Sequence, residues 1–300
     1  MRNQTRDGLL LALGGFAFLS TGDTLVKSMT GLWPGPAIAA LRYVIGTLGL
    51  SALLYWREGW GGFRMERMGW HAVRGFGVAF SATTFFTAVQ IMPIAEATAI
   101  SFTSPMVTAL LAAALIGEPM RRETWIASLV AFAGVLIVLR PNFAVIGPAA
   151  MLPLFAAVGM ALLIIGNRAV LGRGSALSMQ VNVAIFATLF LVLFTLIGHF
   201  SGIAMLHVGP PPWSVVAKSA IIAVTGSTAH ALIYFATSRI GAATVAPMTY
   251  FQLIMAGFYG WLLFHEQPDA TALLGAGIII SAGLYLWRAG QMKDEPQGTE

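Results

Sequence analysis

Long apolar runs follow one another along the chain, each close to the roughly 20 residues a helix needs to cross a bilayer, with short polar breaks between them. Ten can be drawn, over residues 9–28, 36–56, 70–91, 94–117, 123–140, 148–168, 178–198, 215–238, 243–264 and 270–288, and each predicts a spanning helix. The breaks hold helix-breaking or charged residues: Trp33 to Pro36, Arg57 to Gly59, Met92-Pro93, Glu118-Pro119, Arg140-Pro141, Gly172 to Gly174, Gly209 to Pro212 and His265 to Asp269. The runs lack the short apolar/polar alternation of a membrane barrel. The pattern predicts an all-α integral membrane protein with ten transmembrane helices.

Composition agrees with this pattern. Charged residues are 10% of the 300 and apolar residues 57%, with a mean hydropathy of +0.79. Such a chain is not a soluble enzyme, a disordered segment or a nucleic-acid module. Cysteine is absent, which excludes a disulfide framework and thiolate metal sites. Arg2 and Arg6 ahead of Leu9 to Leu19 imitate a signal peptide, but no A-x-A site follows and the run continues past Asp23. The segment therefore reads as a retained span.

The net charge of +5 is informative through its distribution. With the N-terminus inside, thirteen of the 17 Lys and Arg fall on the cytoplasmic side. Lys27, Arg140 and Lys218 fall outside, and Arg42 lies within a span. The positive-inside rule then predicts two cytoplasmic termini and an even number of spans.

Two stretches 148 residues apart read alike. One runs from Pro93 through Ser101-Phe102-Thr103-Ser104 to Gly117-Glu118-Pro119. The other runs from Gly241 through Thr249-Tyr250-Phe251-Gln252 to His265-Glu266-Gln267-Pro268. Pro93 to Glu118 and Gly241 to Glu266 are both 25 residues, and each copy continues into a span with a late glycine, Gly134 or Gly283. A repeat of five spans enters the membrane upside down in its second copy and places a solute site near the midplane between the halves. This predicts a first five-helix repeat over 1–141, a second over 147–288, and a polar cytoplasmic tail over 289–300.

With Ala40-Leu41-Arg42-Tyr43, Thr103-Ser104-Pro105, Gly117-Glu118-Pro119 and the partner pattern ending in His265-Glu266, the chain resembles the drug/metabolite transporter superfamily in its ten-helix EamA-type branch. The resemblance runs from about Leu9 to Trp287 and rests chiefly on the duplicated layout. It implies a metabolite transporter of the bacterial inner membrane, often an exporter, as in the aromatic amino-acid exporters of the group. The second copy has Phe251-Gln252-Leu253 in place of Thr-Ser-Pro, so Pro105 has a counterpart in neither sequence nor spacing.

Polar residues inside spans are costly and therefore informative. Asp23 and Arg42 fall at similar depth on adjacent spans and are expected to pair, either locking two helices or gating and binding a zwitterion. Lys27, one turn on, is an alternative partner expected to snorkel outward. Ser227, His230, Tyr234 and Ser238 share one face of span eight. His230 could bind a carboxylate, titrate as a coupling site, or be a neutral histidine bonded between helices. Thr83, Thr87 and Gln90 line a face of span three, or bond back to their own carbonyls. At the offset of 148, Ser101 matches Thr249 and Ser104 matches Gln252, so both copies place hydrogen-bonding groups at one depth. Tyr250 offers an aromatic wall, Pro105 a kink or hinge, and Asn167 a helix cap or gate.

The expected solute-binding set is therefore His230, Tyr234, Gln252, Thr249, Ser101, Ser104, Thr83, Thr87 and Tyr250. Asp23, Arg42, Pro105 and Asn167 are expected to be structural or gating. No catalytic residue, metal ligand or cofactor motif stands out: His265-Glu266 lacks a second histidine, and there is no Walker A loop or nucleophile elbow. The expected partners are a small solute, an amino acid first, and the bilayer, but no nucleic acid; the chain is expected to be a monomer or weak homodimer. A drug cation or nucleotide sugar as solute, and a non-transporting scaffold or lipid-binding subunit, are the rival readings.

Overall fold

The computed structural model describes residues 2–116, 122–170 and 172–294; Gly117-Glu118-Pro119, Arg121 and the end of the tail lie outside them. Regular structure among the described residues is helical throughout. The α-helices are α1 (Arg2–Lys27), α2 (Gly35–Glu58), α3 (Met68–Ile91), α4 (Ile94–Ser101), α5 (Ser104–Ile116) and α6 (Arg122–Ile146) in the first half. The second half has α7 (Leu152–Ala169), α8 (Ala176–Phe200), α9 (Trp213–Ile240), α10 (Ala242–Val245), α11 (Tyr250–Phe264) and α12 (Ala270–Asp294). Helices satisfy every backbone group internally, which lipid demands.

Helix ends follow local chemistry. α2 begins after Pro34 with Pro36 in its first turn, where a missing N–H costs nothing, and it stops at Gly59 with φ 62°. Ser175 caps α8 by accepting the Ser178 N–H at 3.0 Å. α9 ends at Gly241 with φ 80°.

Among the described residues, eight stretches are long and apolar enough to cross a membrane. One is the 48-residue stretch Arg122–Ala169, which holds both α6 and α7 with a 3-10 turn at Gly147–Met151 between them. α11, at 15 residues, is too short alone because residues 242–249 fold separately as α10 and a 3-10 turn. α6 runs on through Pro141 to Ile146 rather than stopping at Arg140-Pro141. The chain is therefore a multi-pass membrane protein, consistent with the bacterial inner membrane.

The two repeat segments are both broken helices. α4 stops at Ser101 and α5 starts at Ser104; the matching region is the 3-10 turn Ala246–Thr249 before α11. Pro105 is not a mid-helix kink. It occupies the first turn of α5, where its missing N–H is an unpaired donor in any case.

Packing pairs the halves. α3 lies along α7 and α1 along α9, α6 lies along α12, and α2 lies along α8. Glycines bring these backbones together, as close packing in lipid requires. A methyl group on Gly77 would stand 2.6 Å from the Gly159 carbonyl oxygen, and one on Gly134 would stand 2.9 Å from that of Gly275. The pairing departs most from symmetry at α9. α3 packs along α8 and also meets α2, whereas its counterpart α9 meets α2 less closely than α3 meets α8 and stands off from α8.

Candidate functional site

A cavity of about 580 Å³ fills the gap beside α9. It is walled by α2, α8 and α9, with Leu19 of α1 at its inner side. It runs from Arg57, Ala176 and Phe235 at the end of the bundle that holds the start of α1, inward to Arg42 and Ile222. Its volume falls within the range of about 300–1,000 Å³ usual for small-molecule sites.

The polar face predicted on α9 lies here. Ser227, His230 and Tyr234 all line the cavity, as does Arg42 from α2. Arg57, Gln180, Tyr43 and Thr47 join them, none of them singled out in the sequence as a site residue. Gln180 was open to detection: it is an intramembrane glutamine, held to the same demand for a partner as Gln252. Arg57 reads from sequence as a loop cation, because the reach of α2 beyond the apolar run is not visible there. Among the described residues, the lining includes no aspartate or glutamate.

The other expected site residues sit elsewhere. The Thr87 hydroxyl donates to its own helix at the Thr83 carbonyl, 2.8 Å, while the Thr83 hydroxyl is buried without a partner among the described residues. Ser101 donates to the Pro153 carbonyl at 3.3 Å, tying the end of α4 to α7. Ser104 supplies a carbonyl to the Thr108 hydroxyl at 2.7 Å. Thr249 ends the 3-10 turn ahead of α11. Tyr250 packs edge-on against Phe102, ring centroids 5.8 Å apart, with its hydroxyl lodged against Gly283.

Asp23 and Arg42 do not pair. Gln252 Nε2 donates to Asp23 Oδ2 at 3.0 Å, joining α1 to α11. Arg42 lies between two rings, with its guanidinium carbon 4.9 Å from the centroids of both Tyr43 and Phe86. Equal depth put the two charges at one level, but α1 turns Asp23 toward α11 and α2 turns Arg42 toward the cavity. Lys27 does not snorkel outward. Its ammonium pairs with Glu266 Oε1 at 2.6 Å and donates to the Val89 and Met92 carbonyls at 2.9 and 2.7 Å. Asn167 accepts from the buried Arg74 Nε at 2.6 Å, so it joins α7 to α3.

The end of the bundle opposite the cavity mouth is shut. Glu266 follows His265, a non-glycine residue in left-handed backbone (φ 55°), which turns the carboxylate back onto the bundle. Its Oε2 accepts the Ile94 N–H at 3.0 Å, capping the first turn of α4. Gly35 lies against the backbone of Phe86 and Thr87, where an added methyl would stand 2.8 Å from Phe86 C and from Thr87 N. Close by, Asn142 donates to Glu96 and Trp33 Nε1 donates to the Gly209 carbonyl at 2.9 Å.

A model of the EamA-like transporter family matches the chain twice, over residues 6–140 and 147–287. The protein belongs to the EamA-like transporter family. This member is 26% identical to an S-adenosylmethionine uptake transporter of Rickettsia felis over 272 residues, 89% of this chain and 87% of that protein. It is 27% identical to the pseudopaline exporter CntI of Pseudomonas aeruginosa over 94% of this chain and 96% of that one. A riboflavin transporter of Rhizobium johnstonii is 26% identical over 93% and 90% of the two chains. A solved crystal structure shares the fold at a TM-score of 0.55 and 20% identity, covering 96% of this chain and 98% of the other.

Proposed function

We propose that this EamA-family protein moves a small amphiphilic metabolite across the inner membrane by alternating access between two inverted five-helix halves, residues 1–141 and 147–288. The single observation that carries the reading is where the cavity lies: beside α9, where the pairing of the halves departs most from symmetry, with the opposite end tied by Lys27 and Glu266. In an inverted repeat, rocking one half against the other exchanges the open and closed sides.

The offset of 148 gives this exchange a residue-level form. Phe86 and Thr87, which close on Gly35, correspond to Tyr234 and Phe235, which line the open cavity across from Ala176 and Leu177 at the start of α8. The alternate state would bring Tyr234 and Phe235 onto α8 and release Gly35. Counting the broken helices α4–α5 and α10–α11 as one crossing each gives ten, with both termini and the cavity mouth cytoplasmic. Export is the direction that suits this arrangement, and no residue is assigned a catalytic role.

Among the expected site residues, His230 and Tyr234 are proposed to meet the solute. Gln252 and Asp23 are proposed to hold α1 against α11 between the states. Amino acids with apolar or aromatic side chains are the first class to test. The relatives, named for S-adenosylmethionine, pseudopaline and riboflavin, make those three compounds the necessary comparison.

Counterflow into liposomes of purified protein, with amino acids and the three relatives' solutes as separate arms, tests the reading. Accumulation of one labelled solute driven by its own unlabelled pool is the expected result. Absence of flux in every arm from folded protein would leave the scaffold reading in its place.

A further inference from the structure

Arg42 lines the inner end of the cavity without a charged partner among the described residues. Its guanidinium carbon sits 4.9 Å from both the Tyr43 and the Phe86 ring centroids, so the rings offset the charge but leave the N–H edges free. Those edges carry five donors. Among the described residues none meets an acceptor, and no carboxylate is in ion-pair contact. Asp23, an acid that acts on it electrostatically, is bonded to Gln252 and is not part of the cavity wall. A cation held in a membrane span without an acceptor marks a place where a ligand supplies one.

The rest of the wall points the same way. Arg57 stands at the mouth and His230 faces the interior, while the wall holds no carboxylate among the described residues. Gln180 and Tyr234 also lack a hydrogen-bond partner among the described residues and could add donors to an oxyanion. The remaining surface is apolar or aromatic, with Leu19, Leu50, Leu53 and Phe235 available to an apolar body.

We propose that Arg42 is the head-group determinant of this cavity, and that the protein takes organic anions: molecules with a carboxylate or phosphate on an apolar or aromatic body. The planar guanidinium grips a carboxylate through two parallel N–H bonds, and the flanking rings hold it flat for that contact. An ammonium group on the solute has no counter-charge in the wall. A zwitterion binds through its carboxylate alone, and a simple amine is rejected. The proposal rests on the transport reading for what the site is used for, but recognition is measurable by binding alone.

The test holds the phenyl body constant and changes only the head. Purified full-length protein in nanodiscs is titrated with 3-phenylpropionate, L-phenylalanine and 2-phenylethylamine, with binding read by calorimetry. The expected order places 3-phenylpropionate at least as tight as L-phenylalanine, and both at least tenfold tighter than the amine. Phenyl phosphate reports whether phosphate replaces carboxylate, and binding comparable to 3-phenylpropionate extends the class. Arg42→Gln should lose at least tenfold for the anion, and Arg42→Lys should retain part of it. An amine that binds as well as the anion, or L-phenylalanine binding tenfold tighter than 3-phenylpropionate, overturns the proposal. So does a folded Arg42→Gln protein with unchanged anion affinity. If that variant does not fold, the order of the three ligands on the wild-type protein decides. Charge-selective binding without counterflow would sink the transport reading alone; counterflow without charge selectivity would sink this proposal alone.

Discussion

Lys27 and Glu266 meet at 2.6 Å with their side chains only 11% and 15% exposed, and the second oxygen of the same carboxylate caps α4 at the Ile94 N–H. Glu266 thus joins the end of α1 and the start of α4 to the end of α11, and Lys27 adds the end of α3 through the Val89 and Met92 carbonyls. Removing one member strands a mostly buried charge, at a cost of about 3–5 kcal/mol in a fully buried pair and less here.

Glu266→Gln keeps a cap for Ile94 but removes the charge, so it should weaken this closed end selectively. The chain has no cysteine, so a single cysteine placed at Ser28 gives a unique label. Labelling there by an impermeant maleimide should rise several-fold in Glu266→Gln and in Lys27→Met, and the double variant should add little. Unchanged labelling would show that the pair does not hold the end shut.

Gly35 supplies the second contact of that end. Gly35→Ala forces a methyl onto the Phe86–Thr87 backbone and should cost about 1–3 kcal/mol in thermal or denaturant unfolding. Gly226 also lines the cavity, but it lies inside α9 and a methyl there meets nothing within 4 Å, so Gly226→Ala should not destabilise and should gain up to about 1 kcal/mol from helix propensity. Equal effects at the two sites would contradict the packing described.

His230 and Gln252 should separate in their phenotypes. His230→Ala, at the cavity wall, should lower solute affinity several-fold with little change in melting temperature. Gln252→Leu leaves the Asp23 carboxylate without its donor and should cost about 1–3 kcal/mol of stability. Asn167→Leu, which deprives the buried Arg74 of its 2.6 Å acceptor, should behave like Gln252→Leu. A stability loss at His230 with unchanged affinity would remove it from the site.

At the start of α12, Asp269 Oδ1 accepts the Ala272 N–H at 2.6 Å and the Thr271 hydroxyl at 2.8 Å. These bonds, the backbone one foremost, hold its carboxyl below the usual carboxylate range. The native value is the lower one, so the cap is fully present above the unfolded-state value and is lost as pH falls through the native value. Asp269→Ala should abolish this acid-dependent part of α12 protection, read by hydrogen exchange at Ala272 across pH 2 to 6.

The helical architecture was legible because apolar runs and cations are local signals, and the polar face at Ser227, His230 and Tyr234 reached the cavity for the same reason. What escaped depends on which way a helix is rotated. Asp23 and Arg42 share a depth, yet spacing along two separate helices does not say whether they face each other. Pro105 suggested a kink, whereas the break falls at Phe102 and Thr103, since a proline is comfortable in a first turn. Glu266 stood out as the end of a span; its role at Ile94 joins residues 172 positions apart and leaves no local trace.

The close seating of α1 on α9 has a mechanical result. Gly15 sits so near α9 that a methyl would stand 3.0 Å from the Ala229 carbonyl, and Gly8 is pressed against Ile240. In the proposed exchange of states, swinging α9 inward to fill its gap would drag α1 along as a lever, with Lys27 at that lever's far tip. Shutting one door would then pull the bolt from the other, and the geometry of a single helix pair would disfavour a leak open to both faces at once.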